Sequence, residues 1–205
     1  MILKATHNTF LYGFFRLYTR LRIKGAFRNV CIEGEVTDRG LPVLVIANHF
    51  SWWDGFWVMY MNMKLFRRRF YFMMLEEELR KNIFLNRTGG YSVKRGSRSV
   101  IESLQYTIRL LKDKQNMVLL FPQGKIESGH VSEFSFEKGI HRVATEVSGI
   151  AQKVFVVNLV EYYSRAKPAL YTYLAECPDD QQDIEAAYNA FYASTVKAHL
   201  KKNPG

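Results

Sequence analysis

The sequence predicts an α/β fold, a single domain with a mostly parallel mixed sheet flanked by helices and an N-terminal amphipathic helix. Three observations carry this. Short apolar runs rich in β-branched residues alternate with stretches of helical periodicity, the pattern of a sheet covered by helices. Polar clusters directly follow two of those runs, at Asn48-His49 and at Pro122-Gln123-Gly124-Lys125, where a site along the carboxyl edge of a parallel sheet belongs. The 205 residues contain no Ser/Gly/Pro-rich linker that would cut them into two domains.

Taken in order, residues 2 to 23 place Phe10, Phe14, Leu17 and Leu21 at helical spacing, with Lys4, Arg16 and Arg20 off the stripe. Leu11, Phe15 and Tyr18 widen the apolar face, and Arg20, Arg22, Lys24 and Arg28 gather at its end. Two placements stay open for this helix: docked on the core, or lying in a membrane interface. Val30 to Val36 reads as a strand, and Leu41 to Ala47, bounded by Gly40 and Asn48, as a buried one. Ser51, three residues before Asp54 and ahead of Phe56, Trp57 and Met59, predicts a helix opened by a capping box. A strand over Arg69 to Leu75, a short helix from Glu76, a turn at Arg87 to Gly90 and a strand at Tyr91 to Val93 follow.

Ser99 opens a second capping box, for a helix with Val100, Leu104, Ile108 and Leu111 on its buried stripe. Met117 to Phe121 is another buried strand, and a helix through Ile140, Val143, Ala144 and Val147 comes next. Strands over Lys153 to Val160 and Tyr171 to Ala175 precede a last helix, capped by Asp180, with Ile184, Ala187, Phe191 and Thr195 on one side.

Composition narrows the partners. A net charge of +10, from 29 Lys and Arg against 19 Asp and Glu, fits an anionic partner: nucleic acid, an anionic membrane, or a phosphorylated or CoA-linked substrate. With 15 Phe and 12 Tyr, the chain holds more aromatic surface than its core needs, so some is expected to face lipid or a lipid-like ligand. Lys64, Arg67, Arg68 and Arg69 lie among Leu65, Phe66, Phe70, Tyr71 and Phe72, either a solvated loop entering a strand or a surface for lipid headgroups or nucleic acid. Cys31 and Cys177 support neither a disulfide framework nor a zinc site and fit a reducing compartment. No apolar run reaches the roughly 18 to 20 residues that span a bilayer, and no signal-peptide pattern is present.

The chemistry concentrates at the first strand end. His49 follows an apolar strand and Asp54 falls in the first turn of the next helix, so the carboxylate can fix one imidazole nitrogen and leave the other to take a proton. Ser51 keeps a covalent alternative open. Lys94, Arg95 and Arg98, ahead of the helix at Ser99, are either a solvated patch or an anion site. Trp52, Trp53 and Trp57 border a substrate channel or belong to the core.

These motifs resemble those of the glycerolipid O-acyltransferases, the family of 1-acylglycerol-3-phosphate and glycerol-3-phosphate acyltransferases with an N-H-x4-D box. The resemblance covers about residues 45 to 165. Asn48 to Asp54 matches the first motif, Gly90 to Arg95 the second, Phe121 to Lys125 the third with the Phe-x-x-Gly of Phe136 to Gly139 behind it, and Val156 to Leu159 falls where the fourth lies. Gln123 stands where the family has a carboxylate, Lys125 and Ile126 replace a small polar residue and an arginine, Lys94 replaces an acid, and the fourth motif lacks its proline. The departures fall in the acceptor-binding motifs, while the base and its orienter are intact.

The resemblance implies a glycerol-phosphate-acyltransferase-like fold, with residues 1–28 as a membrane-associating helix and 29–205 as the acyltransferase domain. It implies His49 and Asp54 as catalytic residues, and Arg95, Gln123, Gly124 and Lys125 as substrate-binding residues. Backbone N–H groups around Gly124 are candidates for stabilising the oxyanion. No metal or bound cofactor is expected; acyl-CoA or acyl-carrier protein serves as cosubstrate. The expected partners are an acyl thioester, a lysophospholipid or other lipid acceptor, and an anionic membrane surface, with the protein peripheral on the cytoplasmic face. Hydrolysis at the same site, or a basic nucleic-acid-binding module, are the alternative readings; none of the nucleic-acid motifs is present, so no nucleic-acid partner is expected.

Overall fold

Val43 to Ala47 and Met117 to Leu120 are apolar along their whole length, and such strands are stable only with both faces covered. In the computed structural model, which describes residues 2–96 and 98–202, they form β2 (Val43–Ala47) and β5 (Asn116–Leu120), paired in parallel and fully buried. With β1 (Asn29–Glu33), β3 (Arg69–Leu75), β4 (Gly90–Val93), β6 (Gln152–Glu161) and β7 (Ala169–Cys177) they build a seven-stranded sheet in the order β1-β7-β6-β2-β5-β3-β4. Only β6 and β7 pair antiparallel, so the sheet is mostly parallel and mixed, as expected.

The alternation along β2 divides the core. Val43, Val45 and Ala47 point toward α1 (Thr9–Ala26) and α2 (Asp54–Lys64), in a cluster with Phe15, Val58 and Met59. Leu44 and Ile46 point toward the other face, covered by α4 (Ser99–Leu110), α5 (Lys138–Glu146) and α6 (Ile184–His199) through Leu104, Val143 and Tyr188. Between β3 and β4 run α3 (Glu76–Lys81) and a short 3₁₀ segment, Ile83–Thr88.

Two local expectations are corrected. The first helix starts at Thr9 rather than near residue 2, because Asn8 caps it by accepting the Leu11 N–H (3.0 Å). Ahead of the cap the chain is extended: Leu3 donates to Ser92 Oγ (2.8 Å) and accepts the Ser92 N–H (2.9 Å), and Thr6 N–H donates to Asn86 O (3.0 Å). The last helix is capped by Asp183, which accepts the Ala186 N–H at 3.0 Å, and not by Asp180; it buries Ile184, Tyr188, Tyr192, Thr195 and His199.

The first helix carries two apolar faces. Phe15, Thr19 and Ile23 are buried beneath it, whereas Phe10, Phe14, Leu17 and Leu21 all face outward, Phe10 being 82% exposed. Among the described residues no helix is long and apolar enough to cross a membrane.

β4 brings Arg95 to the sheet's carboxyl edge, and the turn before it depends on Gly89. Its φ of +116° is unfavourable for other residues, and a Cβ there would lie 2.1 Å from the Phe70 carbonyl oxygen. Gly89→Ala is expected to lower stability by about 2 kcal/mol or more, read from the denaturant midpoint. Gly13→Ala, in open space on α1, should raise stability by up to about 1 kcal/mol in the same measurement.

Candidate active site

The chain leaves β2 through Asn48, which is clamped to the neighbouring strand. Its Oδ1 accepts the Asn158 N–H (2.8 Å) and its Nδ2 donates to the Asn158 carbonyl (3.0 Å); Asn158 Oδ1 in turn accepts from Thr172 Oγ1 (2.9 Å). The direction in which His49 emerges is thereby tied to β6 and β7. Nothing in the spacing of the motif assigned Asn48 this part.

Asp54 is the first residue of α2 and its side chain is fully buried. Its Oδ2 accepts from the N–H groups of Phe50 (2.7 Å) and Ser51 (2.9 Å) and from His49 Nδ1 (2.9 Å). Burial pushes its carboxyl above the ordinary value, against the pull of the hydrogen bonds from His49, Ser51 and Phe50. The helix N-terminus adds a favourable potential for the anion.

Only half of the expected capping box forms. The carboxylate reaches back to the Ser51 N–H, but Asp54 N–H bonds to the Ser51 carbonyl (3.2 Å), and Ser51 Oγ accepts from Trp53 N–H (3.2 Å). The carboxylate gathers the loop around itself, and helix capping is secondary.

Because an ionised carboxylate only accepts, Nδ1 of His49 is the protonated nitrogen and Nε2 carries the lone pair. That Nε2 has no partner within the chain among the described residues. The imidazole stacks on Phe121 at 3.9 Å and 9°, which holds the ring plane, and the side chain is 18% exposed. A bond from Glu127 N–H to the His49 carbonyl (2.9 Å) ties the loop after β5 to the same turn.

Beside His49 opens a cavity of about 390 Å³, walled mainly by apolar side chains such as Trp52, Phe56, Phe72, Met74 and Leu85. It extends to Phe15 on α1 and Phe70 on β3. Trp52 lines it; Trp57 is buried against Phe27, and Trp53 packs on Phe56 beneath the Arg22 guanidinium, 4.8 Å from the ring centre.

Gly124 and Lys125 line the cavity with His49. Gly124 has φ +65°, its N–H closes the turn onto Phe121 O (3.1 Å), and its carbonyl accepts from Arg95 Nη2 (2.7 Å). Arg95 therefore reaches the same edge. It also faces Glu137 at 3.2 Å, a residue inside the Phe-x-x-Gly stretch that the sequence reading passed over. Lys125 pairs with Glu127 (2.9 Å). Gln123 stands apart: it is buried, it is not among the cavity's lining residues, and neither of its amide atoms has a partner. No group of three or more His, Cys, Asp or Glu arranged to hold a metal occurs among the described residues.

Comparison with known proteins gives a structural match and a family match. The structure resembles the crystal structure of the 1-acyl-sn-glycerophosphate (LPA) acyltransferase PlsC from Thermotoga maritima, with a TM-score of 0.61 and 19% sequence identity over 94% of this chain and 81% of that one. At that identity the likeness establishes the architecture. Among curated proteins nothing matches. The family model named Acyltransferase matches residues 29–160, a stretch that contains His49, Asp54, Arg95 and the whole loop after β5. The match spans more than half of the sequence, and the chain belongs to the acyltransferase family.

Proposed function

We propose that this acyltransferase moves a fatty acyl group from a thioester, acyl-CoA or acyl-carrier protein, to a hydroxyl of a lysophospholipid or other lipid acceptor. The observation that carries this reading is the His49–Asp54 pair, with its unpartnered Nε2, at an apolar cavity large enough for a ligand. Nε2 takes the proton of the acceptor hydroxyl as its oxygen attacks the thioester carbonyl. The tetrahedral intermediate then expels the thiolate, which recovers that proton from the imidazolium. Asp54 keeps His49 in the required tautomer and stabilises its charged form.

The acyl chain lies along the cavity toward Phe70 and Phe15. Arg95 and Lys125 hold an anionic group of the acceptor, with Gly124 leaving room beside them; Gln123, buried with both amide atoms unpaired, joins them as a substrate-binding residue once the loop after β5 shifts. Their present partners, Glu137 and Glu127, form exposed ion pairs worth at most about 1 kcal/mol, so a phosphate can displace them. The Gly124 N–H is already committed to its turn, which leaves any oxyanion contact to its neighbours.

The outward stripe of α1 supports a peripheral membrane location. Its apolar side chains enter the interface, while Arg16, Arg20 and Lys24, four residues apart along one flank, meet anionic lipid of the cytoplasmic leaflet. Residues 1–28 then form the membrane-associating part and 29–205 the acyltransferase domain.

Incubation with acyl-CoA and a panel of lysophospholipids, with products separated by mass, tests the reading. His49→Ala should fold normally and lose acyl transfer by at least about 10³-fold, and Asp54→Asn by about 10² to 10⁴-fold. An active His49→Ala enzyme, or release of free fatty acid with no acylated product, removes it. Arg95→Ala should raise KM for a phosphate-bearing acceptor by about tenfold or more with a smaller change in kcat. Phe10→Ser with Phe14→Ser should cut partition onto phospholipid vesicles by about a hundredfold, at roughly 1.5 kcal/mol for each side chain removed from the interface.

A further inference from the structure

A second cavity, of about 280 Å³, lies between the start of α1 and the turn that enters β3. β3 begins at Arg69, whereas His49 follows the end of β2, and both strands run parallel to β5 between them. The cavity is therefore at the opposite edge of the sheet from the acyl-transfer site. Tyr12 and Arg16 of α1, Asn62 of α2 and the run Arg67, Arg68 and Arg69 form most of its wall, and no carboxylate lines it.

The turn is built, not loose. Asn62 is buried and holds it with three bonds: its carbonyl accepts the Arg67 N–H (2.7 Å), its Oδ1 accepts the Arg68 N–H (3.0 Å), and its Nδ2 donates to the Arg68 carbonyl (2.8 Å). Arg67 sits at φ +56°, a left-handed conformation unfavourable for a long side chain. Arg68 is neutralised by Asp38 at 2.6 Å. Arg16, Arg67 and Arg69 meet no carboxylate among the described residues.

Hydrogen-bond accounting adds a donor. Phe70 N–H donates to the Tyr12 hydroxyl oxygen (3.1 Å) and His7 Nε2 donates to the Phe70 carbonyl (3.0 Å). The Tyr12 hydroxyl thus keeps its own proton for another acceptor. Guanidinium groups with a hydroxyl beside them suit a phosphate, whose oxygens accept bidentate bonds. Arg16 also starts the row of Arg16, Arg20 and Lys24, which runs along the flank of α1 between its buried face and its outward stripe, so the cavity opens on the flank that turns toward headgroups when that stripe enters a bilayer.

The geometry points to this cavity as a binding site for the phosphate headgroup of an anionic membrane phospholipid, held by Arg16, Arg67, Arg69 and Tyr12. The assignment rests on the reading that α1 lies on the bilayer, and it gives the protein a lipid contact separate from its substrates.

The test measures binding of the full chain to phosphatidylcholine vesicles with and without phosphatidylglycerol. Arg67→Asn with Arg69→Gln should weaken binding to the phosphatidylglycerol vesicles by about thirtyfold, without lowering the thermal unfolding midpoint and with binding to pure phosphatidylcholine unchanged. Lys197→Gln with Lys201→Gln removes the same charge from the end of α6 and the turn after it, across the sheet, and should change little. Equal losses in both double variants, or none in the arginine pair, would overturn the site. Wild-type protein that binds neither vesicle refutes both the site and the membrane reading, whereas loss in the arginine pair alone upholds the site whatever the acyl-transfer assay gives. Thermal protection by inorganic phosphate, without preference for phosphatidylglycerol vesicles, would assign the cavity to a soluble phosphate and overturn the lipid assignment.

Discussion

The carboxylate of Asp54 is out of contact with water and its Oδ1 is buried without a partner, so its charge depends on the donors that meet the other oxygen. Three of them converge on Oδ2: two backbone N–H groups of the preceding loop and the imidazole of His49. The arrangement binds in both directions. The loop folds around the carboxylate because the carboxylate needs it, and the imidazole is fixed because it is one of the three. Removing the charge therefore loosens the loop, the ring and the start of α2 together. The Asn48–Asn158 clamp and the Phe121 stack act on the same turn from β6 and from the loop after β5. The seven-residue stretch from Asn48 to Asp54 is thus held from several strands of the sheet.

The two helices on that face divide the work. α2 presents Asp54 at its first residue and Phe56 to the cavity, while α1 closes the cavity's far side with Phe15. One side of α1 is consequently part of the protein interior and the other is open. The sheet covers only one of its two apolar sides.

The parts of this arrangement that could be read from sequence are local. β2, β3 and β5 announce themselves by continuous apolar runs, and His49 and Asp54 lie five residues apart, so both the strand ends and the pair were legible. What escaped depends on distant partners. Residues 2 to 8 carry no break that separates them from the helical stripe beginning at Phe10, and their pairing with Ser92 and Asn86 lies far along the chain. Asn48 meets Asn158 and Arg95 meets Glu137 through the topology of the sheet. Asp180 and Asp183 offer equivalent caps by type; the structure starts α6 after the second. The face on which α1 docks was undecidable because Thr19, a polar residue, sits at the centre of the buried side, its hydroxyl against the Met59 sulfur.

The extended segment before α1 has a consequence for biogenesis. Its main-chain partner on β4 is 89 residues further along, so at translation speeds of about 5 to 20 residues per second the segment waits roughly 4 to 18 seconds for a strand to join. Throughout that interval α1 has no sheet to cover and both of its apolar sides are free. A bilayer close to the ribosome would meet the helix before the rest of the chain exists. If α1 docks on a bilayer as proposed, recruitment would then precede folding.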